Sequence, residues 1–76
     1  MEIKIYSTPT CPYCVQAKKW FRDQKIDFTD FDVSVDHAKA EEMVELSGQM
    51  GVPVIIINDK VFTGFDQKQI EEVMKL

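Results

Sequence analysis

No stretch of this sequence approaches the roughly 20 apolar residues a helix needs to cross a bilayer, so nothing in it reads as a membrane span. Basic residues are scarce: nine Lys and Arg face thirteen Asp and Glu, leaving a net charge of −4. That balance argues against nucleic acid as a partner, because phosphate binding needs a basic patch. Cysteines number only two, where small disulfide-built domains carry about four to eight. Two cysteines and the single His37 also fall short of the four ligands of a zinc site, and His37 opens a polar segment where a solvated helix-end role suffices. Three glycines and three prolines leave no linker, repeat or low-complexity run. The start Met1-Glu2-Ile3-Lys4-Ile5-Tyr6 alternates polar with apolar residues, unlike a signal peptide, and predicts a cytoplasmic protein.

What is present is a folding pattern. With 76 residues, 45% of them apolar, the chain predicts one small domain with a compact core. Residues 2–6 read as a strand with Ile3 and Ile5 on one face. A turn over Ser7-Thr8-Pro9-Thr10 leads to a helix from Pro12 to about Gln24, with Cys14, Ala17 and Phe21 at helical spacing and Trp20 widening the stripe. Residues 28–33 alternate again, with Thr29, Phe31 and Val33 opposite Asp30 and Asp32. Asp36 caps a second helix that ends at Gly48, its inner face formed by Ala40, Met43, Val44 and Ser47. The run from Pro53 to Ile57 is apolar on both faces and belongs at the centre of a sheet. Asn58-Asp59 turns it into a hairpin partner, Lys60–Thr63. Asp66, with Gln69 three residues on, begins a last helix whose buried stripe is Ile70, Val73 and Met74. The expected class is α/β, a four-stranded mixed sheet with three helices in the order β-α-β-α-β-β-α.

The chemistry lies in Cys11 and Cys14. A bridge across two residues closes too small a loop to stabilise a fold, so the pair is not a staple. Proline suits the first position of a helix, where its missing N–H is no loss. Pro12 there makes Cys11 the N-cap, able to accept from the amides of Tyr13 and Cys14. The helix terminus contributes up to about 2 kcal/mol toward a thiolate at that point, and amide hydrogen bonds add to it. Cys14, one turn on and nearer the core, is less open to partners. Cys11 therefore reads as the attacking sulfur and Cys14 as the one that resolves the mixed disulfide.

With Cys11-Pro12-Tyr13-Cys14 at a strand-to-helix turn, the chain resembles the glutaredoxins of the thioredoxin fold over nearly its whole length. Val52-Pro53 before the central strand and Gly64-Phe65-Asp66 before the last helix extend the likeness. The resemblance implies a cis Val52–Pro53 bond facing the cysteines, with the Val52 backbone pairing to a disulfide-bearing peptide. It implies that Gly64, Phe65 and Asp66 hold the γ-glutamyl end of glutathione, that Tyr13 and Pro12 border the thiol site, and that Thr8, Gln49 and Gly51 complete it. No tightly bound cofactor or metal is expected. Glutathione is the expected co-substrate, disulfide-bearing proteins the substrates, and a monomer the working form.

Several positions depart from the glutathione-using pattern. Thr8 stands where a basic residue often precedes the first cysteine by three, Met50 replaces another frequent basic residue, and Gly51 a threonine. Gly64-Phe65 replaces a Gly-Gly pair and is closer to small redoxins that take electrons from a flavoprotein disulfide reductase and serve ribonucleotide reductase. Those usually lack Pro12-Tyr13. Two alternatives to a glutathione-linked enzyme therefore stand: a reductase-linked redoxin, and a dimer bridged by an iron–sulfur cluster on paired Cys11 and Cys14 thiolates.

Overall fold

The computed structural model describes residues 2–74. Four strands, β1 (Ile3–Ser7), β2 (Thr29–Asp32), β3 (Val54–Ile57) and β4 (Lys60–Thr63), alternate with three helices, α1 (Pro12–Asp23), α2 (His37–Ser47) and α3 (Gln67–Met74). The sheet order is β2-β1-β3-β4. β1 runs parallel to β2, with Ile5 opposite Asp30, and antiparallel to β3, with Ile5 opposite Ile55. β4 closes the sheet as an antiparallel hairpin with β3. The mixed four-stranded sheet and the element order are those the sequence predicts.

The period-two rule of a strand divides the core in two. Ile3, Ile5, Ile55 and Ile57 point to one face, where Ala17 and Phe21 of α1 and Ile70 of α3 cover them. Tyr6, Val54 and Ile56 point to the other, against Met43 of α2. β3 is buried at all four positions because it lies between β1 and β4 with helices above and below. Behind Cys14, Trp20 packs edge-on against Phe21 and tilts toward Phe65, joining α1 to the start of α3. On the α2 face the buried Tyr6 hydroxyl donates to Glu42 at 2.9 Å, and Lys39 pairs with the other oxygen of that carboxylate.

Each helix boundary has a local cause. The Asp36 carboxylate accepts the Lys39 amide at 3.1 Å, and α2 stops at Gly48, whose φ of 74° lies in the left-handed region. α1 ends in a Schellman turn: Lys25, at φ 59°, donates to Arg22 O, and Ile26 donates to Phe21 O. Asn58, at φ 54°, turns the hairpin and exchanges hydrogen bonds with Glu2.

One packing expectation is corrected. Val44 is not on the buried face of α2; it is 36% exposed, and only Met43 of that helix is fully buried. Met43 alone reaches Tyr6, Val54 and Ile56 of the two central strands, and Ala40 and Ser47, both half-buried, flank it. Among the described residues no helix is long and apolar enough to cross a membrane.

Candidate functional site

The carboxyl end of β1 delivers the chain into the turn at Thr8-Pro9-Thr10, and Cys11 begins α1. Its backbone is extended (φ −93°, ψ 113°), as an N-cap requires, and Pro12 takes the first helical position. The Cys14 amide donates to the Cys11 sulfur at 3.3 Å. Of the two amides expected to reach that sulfur, the bond is made by that of Cys14. The Cys11 amide in turn donates to Thr8 O at 3.4 Å, fixing the turn.

Opposite the sulfur lies the loop before β3. The Val52–Pro53 peptide bond is cis. The Cys11 thiol donates toward Val52 O at 3.8 Å, across 41 positions of sequence. The Gly64 amide donates to Pro53 O at 2.8 Å, so the end of β4 is tied to the same loop. Gly64 needs its glycine for the backbone: φ is 94°, while a Cβ there would meet no atom within 4 Å. The three segments quoted for the resemblance thus converge at one end of the sheet.

The remaining expected residues are placed as follows. Pro12 and Tyr13 are exposed beside the sulfur, and Thr8 is half-buried below it. Gln49 and Gly51 are exposed on the loop leading to the cis bond; the Gln49 carboxamide lies 3.7 Å from where a Gly51 Cβ would project. Asp66 caps α3 by accepting the Gln69 amide at 3.3 Å. Phe65 turns its ring inward against Trp20, which leaves its backbone for any ligand. His37 is exposed at the start of α2.

The two thiols differ sharply in environment. Cys11 is half-buried, whereas Cys14 is fully buried. Burial first, and then the hydrogen bond and charge of Cys11, push the Cys14 thiol up to about 11; a backbone bond from Thr8 and the Lys18 ammonium act against this rise. Both cysteines are free.

Lys18 belongs to a cluster that the sequence pattern did not reveal. Its ammonium lies 3.1 Å from Asp30 on β2 and 3.4 Å from the Ser7 hydroxyl, which donates to Asp30 at 2.6 Å. Ser7 is the polar residue of the buried set, and its acceptor explains how it is accommodated. The available signal was the spacing of Lys18 four residues after Cys14, which puts both on one helical face.

Two thiols a helical turn apart, one presented at an N-cap and one buried beneath it, opposite a cis proline, define a thiol–disulfide redox protein on a thioredoxin fold. The chain belongs to the glutaredoxin family, whose model matches residues 3–62. It is 45% identical over 73 residues to an uncharacterized glutaredoxin-like 8.6 kDa protein in the rubredoxin operon of Clostridium pasteurianum, covering 96% of this chain and 97% of that one. It is 36% identical over 64 residues to glutaredoxin 3 of Escherichia coli, covering 84% of this chain and 77% of that one. Among solved structures it is similar to the glutaredoxin-like NrdH-redoxin of Escherichia coli, at 27% identity and a TM-score of 0.84 over 96% of this chain and 95% of that one.

Proposed function

We propose that this chain reduces disulfides in proteins, and glutathione mixed disulfides, with Cys11 as the attacking sulfur and Cys14 as the resolving one. The asymmetry of the two thiols carries this reading. A helix N-terminus and an amide hydrogen bond both stabilise negative charge on a sulfur, and Cys11 has both. Cys14 is buried and held protonated in the reduced protein.

The reaction balances as two exchanges. The Cys11 thiolate attacks one sulfur of the partner disulfide; that S–S bond breaks, and the other sulfur leaves as a thiolate that takes a proton from solvent. Cys14 then loses its proton to solvent and attacks the Cys11 sulfur. The Cys11–Cys14 disulfide forms, the mixed disulfide breaks, and the partner leaves as a dithiol with two electrons gained. The environment of Cys14 orders these steps. While Cys11 carries charge, its proximity opposes a second thiolate. In the mixed disulfide that charge is gone, and the Thr8 amide and Lys18 ammonium act on Cys14 without it.

Glutathione is the co-substrate of this reading, held by the Val52 backbone, Tyr13 and the start of α3 at Phe65 and Asp66. The collar around Cys11 carries no cation to receive its glycine carboxylate: residues 5–17, 46–58 and 61–65 contain no charged side chain. The same observation favours a second source of electrons, a flavoprotein disulfide reductase, and the similar NrdH-redoxin is described as having a thioredoxin-like activity profile. A dithiol that must return to its reduced form after each turnover suits a reducing compartment, and this reading places it in the cytoplasm. An electron-donor assay separates the sources: oxidised protein is supplied with NADPH and either glutathione plus its reductase or a thioredoxin reductase. Turnover with the first alone supports the glutathione-linked enzyme, turnover with the second the redoxin. Turnover with neither contradicts both.

A further inference from the structure

On the outer side of α2, Ala40, Val44 and Met50 form the apolar floor of a hollow of about 440 Å³, with Glu41 and Glu45 at its rim. Met50 is 82% exposed, and it is two residues before Val52, so its Cα lies within about 8 Å of the Val52 Cα. The carbonyl of Val52 is the group that meets the Cys11 sulfur. Through Met50 the hollow therefore borders the loop that meets the Cys11 sulfur, within reach of a few residues of extended chain.

Glu41 and Glu45 are spaced four apart, where like charges repel along a helix, and neither has an ion-pair partner among the described residues. The other charged pair of α2, Lys39 and Glu42, is internally satisfied at 2.9 Å. The charge of the two exposed glutamates is therefore left uncompensated by any ion pair among the described residues and is available to a cation from outside.

We propose that this hollow is a docking subsite for a disulfide-bearing polypeptide that places an apolar side chain on Val44 and Met50 and a Lys or Arg beside Glu41 and Glu45. This rests on the reading of Cys11 as the attacking sulfur. Glutathione fits the hollow poorly, having no apolar side chain and two carboxylates that the glutamates repel. A second copy of this chain would bring its own Glu41 and Glu45 to the contact, in a protein of net charge −4. A basic segment of a disulfide-bearing protein substrate is the occupant that suits both the floor and the rim. The subsite then selects among protein disulfides while leaving small disulfides unaffected.

The test uses two synthetic peptides, each closed by one intramolecular disulfide and carrying a Leu three residues from the attacked cysteine. They differ only in the residue after that Leu, Lys in one and Glu in the other. Reduction by the intact protein is compared with that by Glu41→Lys/Glu45→Lys and by Val44→Ser, with hydroxyethyl disulfide as the small substrate. We expect kcat/KM to favour the Lys peptide by roughly 3- to 10-fold, a preference that shrinks in high salt and inverts in the double charge variant. Val44→Ser slows both peptides, and hydroxyethyl disulfide reacts at the same rate with all three proteins. Equal rates for the two peptides, or a preference the charge variant retains, overturn the subsite. So does sedimentation showing that the hollow is covered by a second copy, with a dimer lost in the charge variant. Failure to reduce any of the three disulfides overturns the redox reading itself, and the subsite with it.

Discussion

The sulfur of Cys11 lies 3.8 Å from the carbonyl oxygen of Val52, so the head of one helix and the loop before the central strand meet at a single atom pair. In the function proposed above, an extended peptide pairing with the Val52 backbone would be set with its own sulfur near Cys11, and the residues around that point would bear on which disulfides are accepted.

The proposed use of glutathione carries a prediction about its affinity. Thr8 and Met50 offer no charge to a carboxylate, and a missing charge-assisted hydrogen bond costs about 1.5–3 kcal/mol, roughly 10- to 150-fold in affinity. Gln49, a neutral donor on the same loop, brings the expected loss to the low end of that range. Thr8→Lys and Met50→Arg should each lower the apparent KM for glutathione while leaving the reduction of hydroxyethyl disulfide little changed. Unaltered KM values in both variants mean that the uncharged collar does not limit glutathione use.

The resolving thiol has its own pH signature. Burial and the neighbouring sulfur raise the Cys14 thiol from its ordinary value near 9 to about 11. The raised value means that folding favours the protonated form, so this contribution to stability is complete below pH 9 and is lost as pH rises through about 11. Iodoacetamide should therefore modify Cys14 slowly at pH 8 in the reduced protein. In Cys11→Ser the sulfur's charge is gone, and the alkylation profile of Cys14 should shift to lower pH. Adding Lys18→Met removes the nearby ammonium and should move it back up. A Cys14 profile indifferent to both changes contradicts the environment described here.

Backbone geometry offers a stability test away from the site. Lys25 holds the left-handed position of a Schellman turn with a side chain, where glycine is usual. The conformation costs a non-glycine residue about 1–2 kcal/mol, offset in part by the larger entropy glycine loses on folding. Lys25→Gly should raise stability by up to about 1 kcal/mol, about 4–8 °C in Tm for a domain of this size. Thermal unfolding followed by circular dichroism checks this; a fall in Tm means the turn draws more from the lysine side chain than its backbone costs.

The legible and illegible parts of the fold divide along local and tertiary lines. Pro12 after Cys11 marks the start of α1, Asp36 and Gly48 bound α2, and four consecutive apolar residues identify β3, because each signal acts within a few residues. The end of α1 falls at Gln24 as the sequence predicts, although the left-handed residue that follows is Lys25 and no glycine marks it. Val44 shares helical spacing with Met43's neighbours, yet only Met43 is turned onto Tyr6, Val54 and Ile56. Asp30 alternates with apolar residues as a solvent-facing strand position does, and only folding brings Lys18 and Ser7 to its carboxylate. At the site, Cys11, Cys14, Val52–Pro53 and Gly64 follow from motifs, while the Lys18 cluster and the acidic hollow depend on which helix face meets which loop.

Trapping the mixed disulfide distinguishes the attacking sulfur, Cys11, from the resolving one, Cys14. Cys14→Ser is incubated with a disulfide-bearing peptide and analysed by intact-mass and peptide mass spectrometry, with Cys11→Ser alongside. Cys14→Ser should accumulate one peptide adduct, located on Cys11, because no second thiol remains to release it. Cys11→Ser should form no adduct on the same timescale, its remaining thiol being buried. An adduct on Cys14 in Cys11→Ser, formed at a comparable rate, would contradict the assignment.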